Sequence, residues 1–216
     1  MFENIVIFIP SFLEAEKIFN ITNFSKTVFF HTSSYKNIPV VITGVGKTNS
    51  SITSALFFSQ YKPKYSLLTG ICGAYEESGL HIGDIVSIKK DYLVDECSFN
   101  GKTITTLHEK GFLKDNEFGA DFLYAEKFKA ATSNTVSFIA CQKDLVYEYM
   151  KKTNALVENM EGAAFGIAAN KFNVMPYHIR SVSNFSTTVE NQKWDIKKAA
   201  KNLKDAVDLF LNFYAL

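Results

Sequence analysis

Arginine is nearly missing from this chain: Arg180 is the only one among 23 basic residues, and lysine supplies the rest. A phosphate or carboxylate clamp built from several guanidiniums is therefore excluded. An excess of either charge is missing too. The 23 basic residues face 22 acidic ones, a formal net charge of +1, so nothing electrostatic favours a nucleic-acid partner or an anionic membrane. Cysteine is scarce. Cys72, Cys97 and Cys141 are far apart, form no C-x-x-C, and have none of the four histidines (His31, His81, His108, His178) at metal-ligand spacing. Reduced thiols, no metal site and a cytoplasmic setting are the expectation. Long apolar runs are missing as well. The N-terminus offers only Ile5 to Pro10 after the acidic Glu3, too short for a signal peptide and far from the ~20 residues of a spanning helix.

What is present suits one globular domain over residues 1–216. Hydrophobic residues make up 47% and charged residues 21%, with no repeat, low-complexity tract or Pro/Gly/Ser linker. Short β-branched or aromatic runs bounded by turn residues predict strands at Ile5 to Ile9, Thr27 to His31, Val40 to Thr43, Ser66 to Thr69, Asp84 to Ile88, Thr103 to Leu107, Ala131 to Phe138, Leu156 to Asn159 and Tyr177 to Val182. Helical patterns lie between them. Lys47 to Gln60 carries Ile52, Ala55 and Leu56 on one face, continued by Ser59, and Lys143 to Lys152 carries Leu145, Val146, Tyr149 and Met150. Glu161 to Phe172 is small and apolar, and Ile196 to Tyr214 is a long amphipathic closing helix. Asp91 to Phe128 is less regular and reads as a flap or a partner-contacting arm. The alternation predicts an α/β fold with a parallel or mixed sheet between helices, and ligands in such folds gather beyond the carboxyl ends of strands.

Four segments fall at such positions. Gly44-Val45-Gly46-Lys47 runs from a strand into a helix start, where free N–H groups favour an anion; it also reads as a plain connecting turn. Thr69-Gly70-Ile71-Cys72-Gly73-Ala74 reads as a tight glycine turn that either approaches a ligand or simply packs closely. Val157-Glu158-Asn159-Met160-Glu161-Gly162 delivers two carboxylates before a small-residue helix, for chemistry or as dipole partners. Ile179-Arg180-Ser181-Val182-Ser183-Asn184 ends a strand in polar residues. Strict alternation there puts Arg180, Val182 and Asn184 on one face.

In this order, and with Ile82 to Val86 (IGDIV), these segments resemble the purine nucleoside phosphorylase and nucleosidase superfamily over nearly the whole chain. Within it the chain looks most like the futalosine hydrolase branch, which shares the Asn ending IRSVSN, the Asn134 to Ser137 segment and a tryptophan before the last helix, here Trp194. The methylthioadenosine/S-adenosylhomocysteine nucleosidase branch, with Asp in place of Asn184, is the alternative. The resemblance implies a three-layer α/β sandwich with a mixed central sheet, a homodimer, no cofactor and a small-molecule nucleoside substrate. It also implies roles. Glu14, or Glu16 as a fallback, activates water; Glu161 holds the ribose hydroxyls, with Met160 against the sugar. Phe138 and Ile139 meet the purine, Gly73 lies beside it, and Asn184 faces the base edge. Ser186 to Gln192 holds no arginine.

The chemistry stands beside the family name. N-glycosidic cleavage passes through an oxocarbenium-like state, so one carboxylate must activate water and another must strengthen its hold as the sugar becomes positive. Glu14 and Glu161 fill those roles, with Arg180 orienting Glu161 or the water. A single arginine argues for water rather than phosphate as nucleophile. A non-catalytic nucleoside-binding protein is the other alternative, opposed by retention of both carboxylates. An amide at Asn184 supplies no proton to a leaving adenine, whereas it stabilises charge on O6 of a departing hypoxanthine. The 5′ group of futalosine is a carboxyphenyl ketone, so a lysine is the expected counter-ion for its carboxylate.

Overall fold

The computed structural model describes residues 4–139, 142–186 and 193–214. Cys141 and residues 187–192, most of the arginine-free stretch, lie outside them. The strands in chain order are β1 (Ile5–Ile9), β2 (Ser25–Lys26), β3 (His31–Tyr35), β4 (Ile38–Ile42), β5 (Tyr65–Tyr75), β6 (Ile85–Tyr92), β7 (Cys97–Phe99), β8 (Ile104–Thr106), β9 (Gly119–Asp121), β10 (Lys129–Thr135), β11 (Val157–Asn159) and β12 (Met175–Ser186). The helices are α1 (Phe12–Phe19), α2 (Lys47–Tyr61), α3 (Asp115–Phe118), α4 (Lys143–Thr153), α5 (Gly162–Lys171) and α6 (Ile196–Tyr214).

Every residue of β1 is buried, and its side chains alternate between two apolar clusters. Val6 and Phe8 pack with Phe57 and Phe58 of α2 and Phe165 of α5. The Phe8 ring meets those three edge-on at 5.3, 5.3 and 5.1 Å. Ile5, Ile7 and Ile9 pack on the other face with Ala15 and Ile18 of α1 and Leu203 and Phe210 of α6. Helices on both faces of one sheet make three layers, which is why β1 is apolar throughout rather than alternating.

The sheet runs β11-β10-β6-β12-β5-β1-β4-β3-β2, with β9 beside β6. It is mixed: β5 is parallel to β1 and β12, whereas β12 is antiparallel to β6. β11 pairs with β10 and also with the far end of β5, closing β5, β12, β6, β10 and β11 into a ring. No helix among the described residues is long and apolar enough to cross a membrane.

Several expectations need correction. α1 forms where no helix is predicted. The strand expected over Thr27 to His31 is replaced by β2 and β3 on either side of it. Thr69 to Ala74 is not a turn, because β5 continues straight through it to Tyr75. Its glycines serve close approach instead. A Cβ on Gly70 would stand 2.7 Å from both an Arg180 guanidinium nitrogen and Glu14 Oε1. On α2 the expected apolar face is reversed: Ile52 and Leu56 are exposed, while Ser50 and Ser54 are buried with Phe57 and Phe58. Finally, a bulge between Val182 and Asn184 breaks the alternation of β12. Val182 joins the core, while Arg180, Ser183 and Asn184 reach the same cavity.

Candidate active site

A cavity opens beyond the ends of β1 and β11, beside the bulge of β12 and the Ile71 to Gly73 stretch of β5. It is lined by Glu14, Gly73, Ile139, Met160, Glu161, Arg180 and Asn184 among others, so seven of the eight predicted site residues meet there. Phe138 does not: it is about half exposed and outside the lining. Of the two candidate bases, Glu14 lines the cavity, and Glu16 is on the exposed side of α1 with Lys17 at 4.0 Å.

Glu14 is placed by the start of α1. Ser11 is the N-cap; its hydroxyl accepts from the Glu14 backbone N–H at 3.1 Å and donates to Glu14 Oε2 at 2.8 Å. The other carboxylate oxygen accepts from the Ile71 N–H at 3.1 Å, across the gap that Gly70 leaves open. Burial raises the Glu14 pKa, Arg180 lowers it, and the nearby Glu161 charge raises it again. A carboxylate raised from its ordinary range is a better proton acceptor for water.

Glu161 stands at the N-cap of α5 but does not cap it. Asn159 does, its Oδ1 accepting from the N–H groups of Glu161 at 2.9 Å and Gly162 at 2.6 Å. The Glu161 carboxylate is thereby released into the cavity. It accepts from Arg180 at 3.1 Å and, through Oε1, from the Gly46 N–H at 3.0 Å. The anion expected at the start of α2 is thus the protein's own Glu161. Gly46 has φ +90°, a conformation that favours glycine.

Arg180 is 1% exposed, and each arm of its fork is committed. One terminal nitrogen donates to the Ile71 carbonyl at 3.0 Å and the other to Glu161. Nε donates to His178 Nε2 at 2.7 Å. Burial, with Arg180 beside it, holds the His178 pKa well below its usual value, so the ring is neutral. A neutral imidazole accepting at Nε2 carries its proton on Nδ1, which faces Asp91 Oδ2 at 3.6 Å.

Asp91 is fully buried. It accepts from Thr135 and Asn159, both at 2.7 Å, and burial raises its pKa to about 6. Asp91 therefore supports Glu161 through Asn159, which holds the Glu161 backbone, while His178 steadies the Arg180 that meets its carboxylate. Sequence reading missed this pair. The only signal was the His-x-Arg spacing on one strand, which puts His178 and Arg180 on the same face. Cys72 also lines the cavity, but burial pushes its thiol up to about 12, leaving no thiolate nucleophile.

The remaining wall is apolar, with Leu13, Val45, Ile139 and Trp194. Among the described residues no lysine lines it, so the expected counter-ion for a 5′ carboxylate is not found there. The Ser183 hydroxyl has two acceptors within reach, Asn184 Oδ1 at 2.9 Å and the Cys72 carbonyl at 3.1 Å.

The phosphorylase superfamily profile matches residues 9–212. The chain is 25% identical over 174 residues to a 5′-methylthioadenosine/S-adenosylhomocysteine nucleosidase of Maridesulfovibrio salexigens, covering 72% of each. It is also 25% identical over 174 residues to a futalosine hydrolase of Thermus thermophilus, covering 76% of this chain and 77% of that one. A Helicobacter pylori methylthioadenosine/S-adenosylhomocysteine nucleosidase mutant with 5′-methylthioadenosine in its active site superposes with a TM-score of 0.78 at 18% identity, covering 98% and 99% of the two chains. This last likeness bears on the fold, which is of the nucleoside phosphorylase and nucleosidase type expected.

Proposed function

The chain belongs to the phosphorylase superfamily, and from that premise we propose that it is a purine nucleosidase whose substrate is a 5′-substituted hypoxanthine nucleoside such as futalosine. Glu14 takes a proton from water, which attacks C1′ of the ribose. Glu161 accepts hydrogen bonds from the ribose hydroxyls and stabilises the positive sugar as the bond breaks. Arg180 keeps the two carboxylates close without neutralising either by proton transfer. It is the only arginine and is wholly engaged within the protein, which favours water over phosphate.

The choice of base is carried by Asn184. With the Ser183 hydroxyl at 2.9 Å from Asn184 Oδ1, we assign the NH₂ as the group that meets the base. A donor there matches O6 of hypoxanthine and opposes the amino group of adenine. A second reading, methylthioadenosine, is favoured by the lysine-free apolar wall of Leu13, Val45, Ile139 and Trp194, which suits a thioalkyl group better than a carboxylate.

The test is base release by wild type from futalosine, methylthioadenosine and inosine, with and without phosphate. Water-dependent release of hypoxanthine supports the reading; phosphate-dependent formation of a ribose 1-phosphate refutes it. The reading includes a cytoplasmic homodimer, for which exposed Val45, Ile52 and Leu56 offer an apolar face. Sedimentation at micromolar concentration checks the dimer.

A further inference from the structure

Glu158 has no part in the chemistry above, yet its side chain lines the same cavity. Its backbone pairs with Gly73 across β11 and β5, and the residue is 6% exposed. Oε2 is buried and, among the described residues, has no hydrogen bond of good geometry. Burial raises the pKa of this carboxyl; the neighbouring Ser186 and Tyr75 hydroxyls pull it down, and the Asp95 charge pushes it up again. A protonated acid is the form such surroundings favour.

Its position is set by the missing side chain of Gly73. A Cβ there would clash with the Ser186 hydroxyl and lie 3.4 Å from Asn184 Nδ2 and 3.6 Å from Glu158 Cγ, so the hydroxyl, the amide and the acid crowd round the space that glycine leaves. On a 6-oxopurine, the acceptor next to O6 on the same edge is N7. An amide donating to O6 and an acid beside it fit that pair of acceptors.

We propose that Glu158 is a further catalytic residue, the acid that protonates the departing base beside Asn184; the assignment rests on the nucleosidase reading of this site. In the step, the oxygen of water bonds to C1′ while its proton passes to Glu14. The C1′–N9 electron pair moves onto the base, and the carboxyl proton of Glu158 moves to N7. A neutral purine and a Glu158 carboxylate remain. Glu14 then loses its proton to solvent and Glu158 regains one, so the net change is addition of one water. This role explains how a site with an amide in place of an acid at residue 184 still activates its leaving group.

The experiment compares wild type, Glu158→Gln and Glu158→Asp on futalosine and on the p-nitrophenyl riboside with the same 5′ group, whose leaving group needs no proton. Glu158→Gln is expected to lower kcat on futalosine by roughly 10²–10⁴-fold, the range for a lost general acid. On the p-nitrophenyl riboside the loss should stay below about 3-fold by the same reasoning. Glu158→Asp should recover part of the nucleoside activity. Equal losses on both substrates, or a Gln variant within about 3-fold of wild type on futalosine, overturn the assignment. If wild type leaves the p-nitrophenyl riboside intact, Asp activity no higher than Gln overturns it. Failure of the nucleosidase reading looks different: wild type then releases purine from no nucleoside at all.

Discussion

Replacing Arg180 by methionine keeps most of the buried volume and removes the cation that acts on Glu14, Glu161 and Asp91. His178 Nε2, the Ile71 carbonyl and the Glu161 carboxylate each lose the Arg180 donor at once, as does the more distant Asn159 Oδ1, leaving Glu161 with the Gly46 N–H. Breaking a buried ion pair on one side costs about 3–5 kcal/mol. For a chain of this size that lowers Tm by roughly 6–20 °C. The catalytic consequence has a definite sign. The Glu14 pKa is already raised by burial, and Arg180 is what draws it back. Without the guanidinium the pKa rises further, so a larger share of Glu14 is protonated at neutral pH and unable to accept a proton from water. The acid limb of the kcat/KM profile must move to higher pH, with activity partly recovered as pH rises. At pH 7 the loss should approach the ~10²–10⁴-fold worth of a general base. Arg180→Lys keeps the charge but cannot span three acceptors, so its acid limb should stay near that of wild type while kcat falls. An acid limb at the same pH in wild type and Arg180→Met would refute this account of the carboxylate pair.

Other outcomes follow from the same geometry. His178→Phe removes the acceptor that steadies Arg180 Nε and should lower kcat about 10-fold or more with KM changed little, as expected when positioning rather than binding is lost; steady-state kinetics decide. Gly70→Ala drives a methyl into the gap between Arg180 and Glu14 and should abolish measurable turnover while the circular dichroism spectrum stays native. Asn184→Asp should raise activity on methylthioadenosine and lower it on the 6-oxopurine, measured by release of each base; a change in the same direction for both would refute the hydrogen-bond argument. Phe8→Ala, at a ring packed against three others, should cost about 3–5 kcal/mol in denaturant unfolding.

The parts of the fold that local pattern controls were legible in the sequence. β1 and α6 have the predicted bounds, because one is a continuous β-branched and aromatic run and the other a long amphipathic helix. α1 was missed, although Ser11 and Glu14 stand at the spacing of an N-cap and its third helical residue. Where neighbours decide, pattern misled. The glycines of β5 look like turn residues, but their purpose is visible only once Arg180, Glu14 and Asn184 stand over them. Small serines inside α2 look like its outer face, yet they are buried and Ile52 and Leu56 are not. For the site, the four residues that motif order singles out, Glu14, Glu161, Arg180 and Asn184, line one cavity. The support beneath them showed only as the His-x-Arg spacing, because Asp91 and His178 are 87 residues apart in sequence and meet through the pairing of β6 with β12.

The most direct measurement is the ratio of kcat/KM for futalosine to that for methylthioadenosine, taken with wild-type protein in phosphate-free buffer made with ¹⁸O-water. The account predicts a ratio above one, free hypoxanthine, and the heavy oxygen on C1′ of the released sugar. A ratio below one would transfer the assignment to methylthioadenosine, and unlabelled sugar would contradict attack by water.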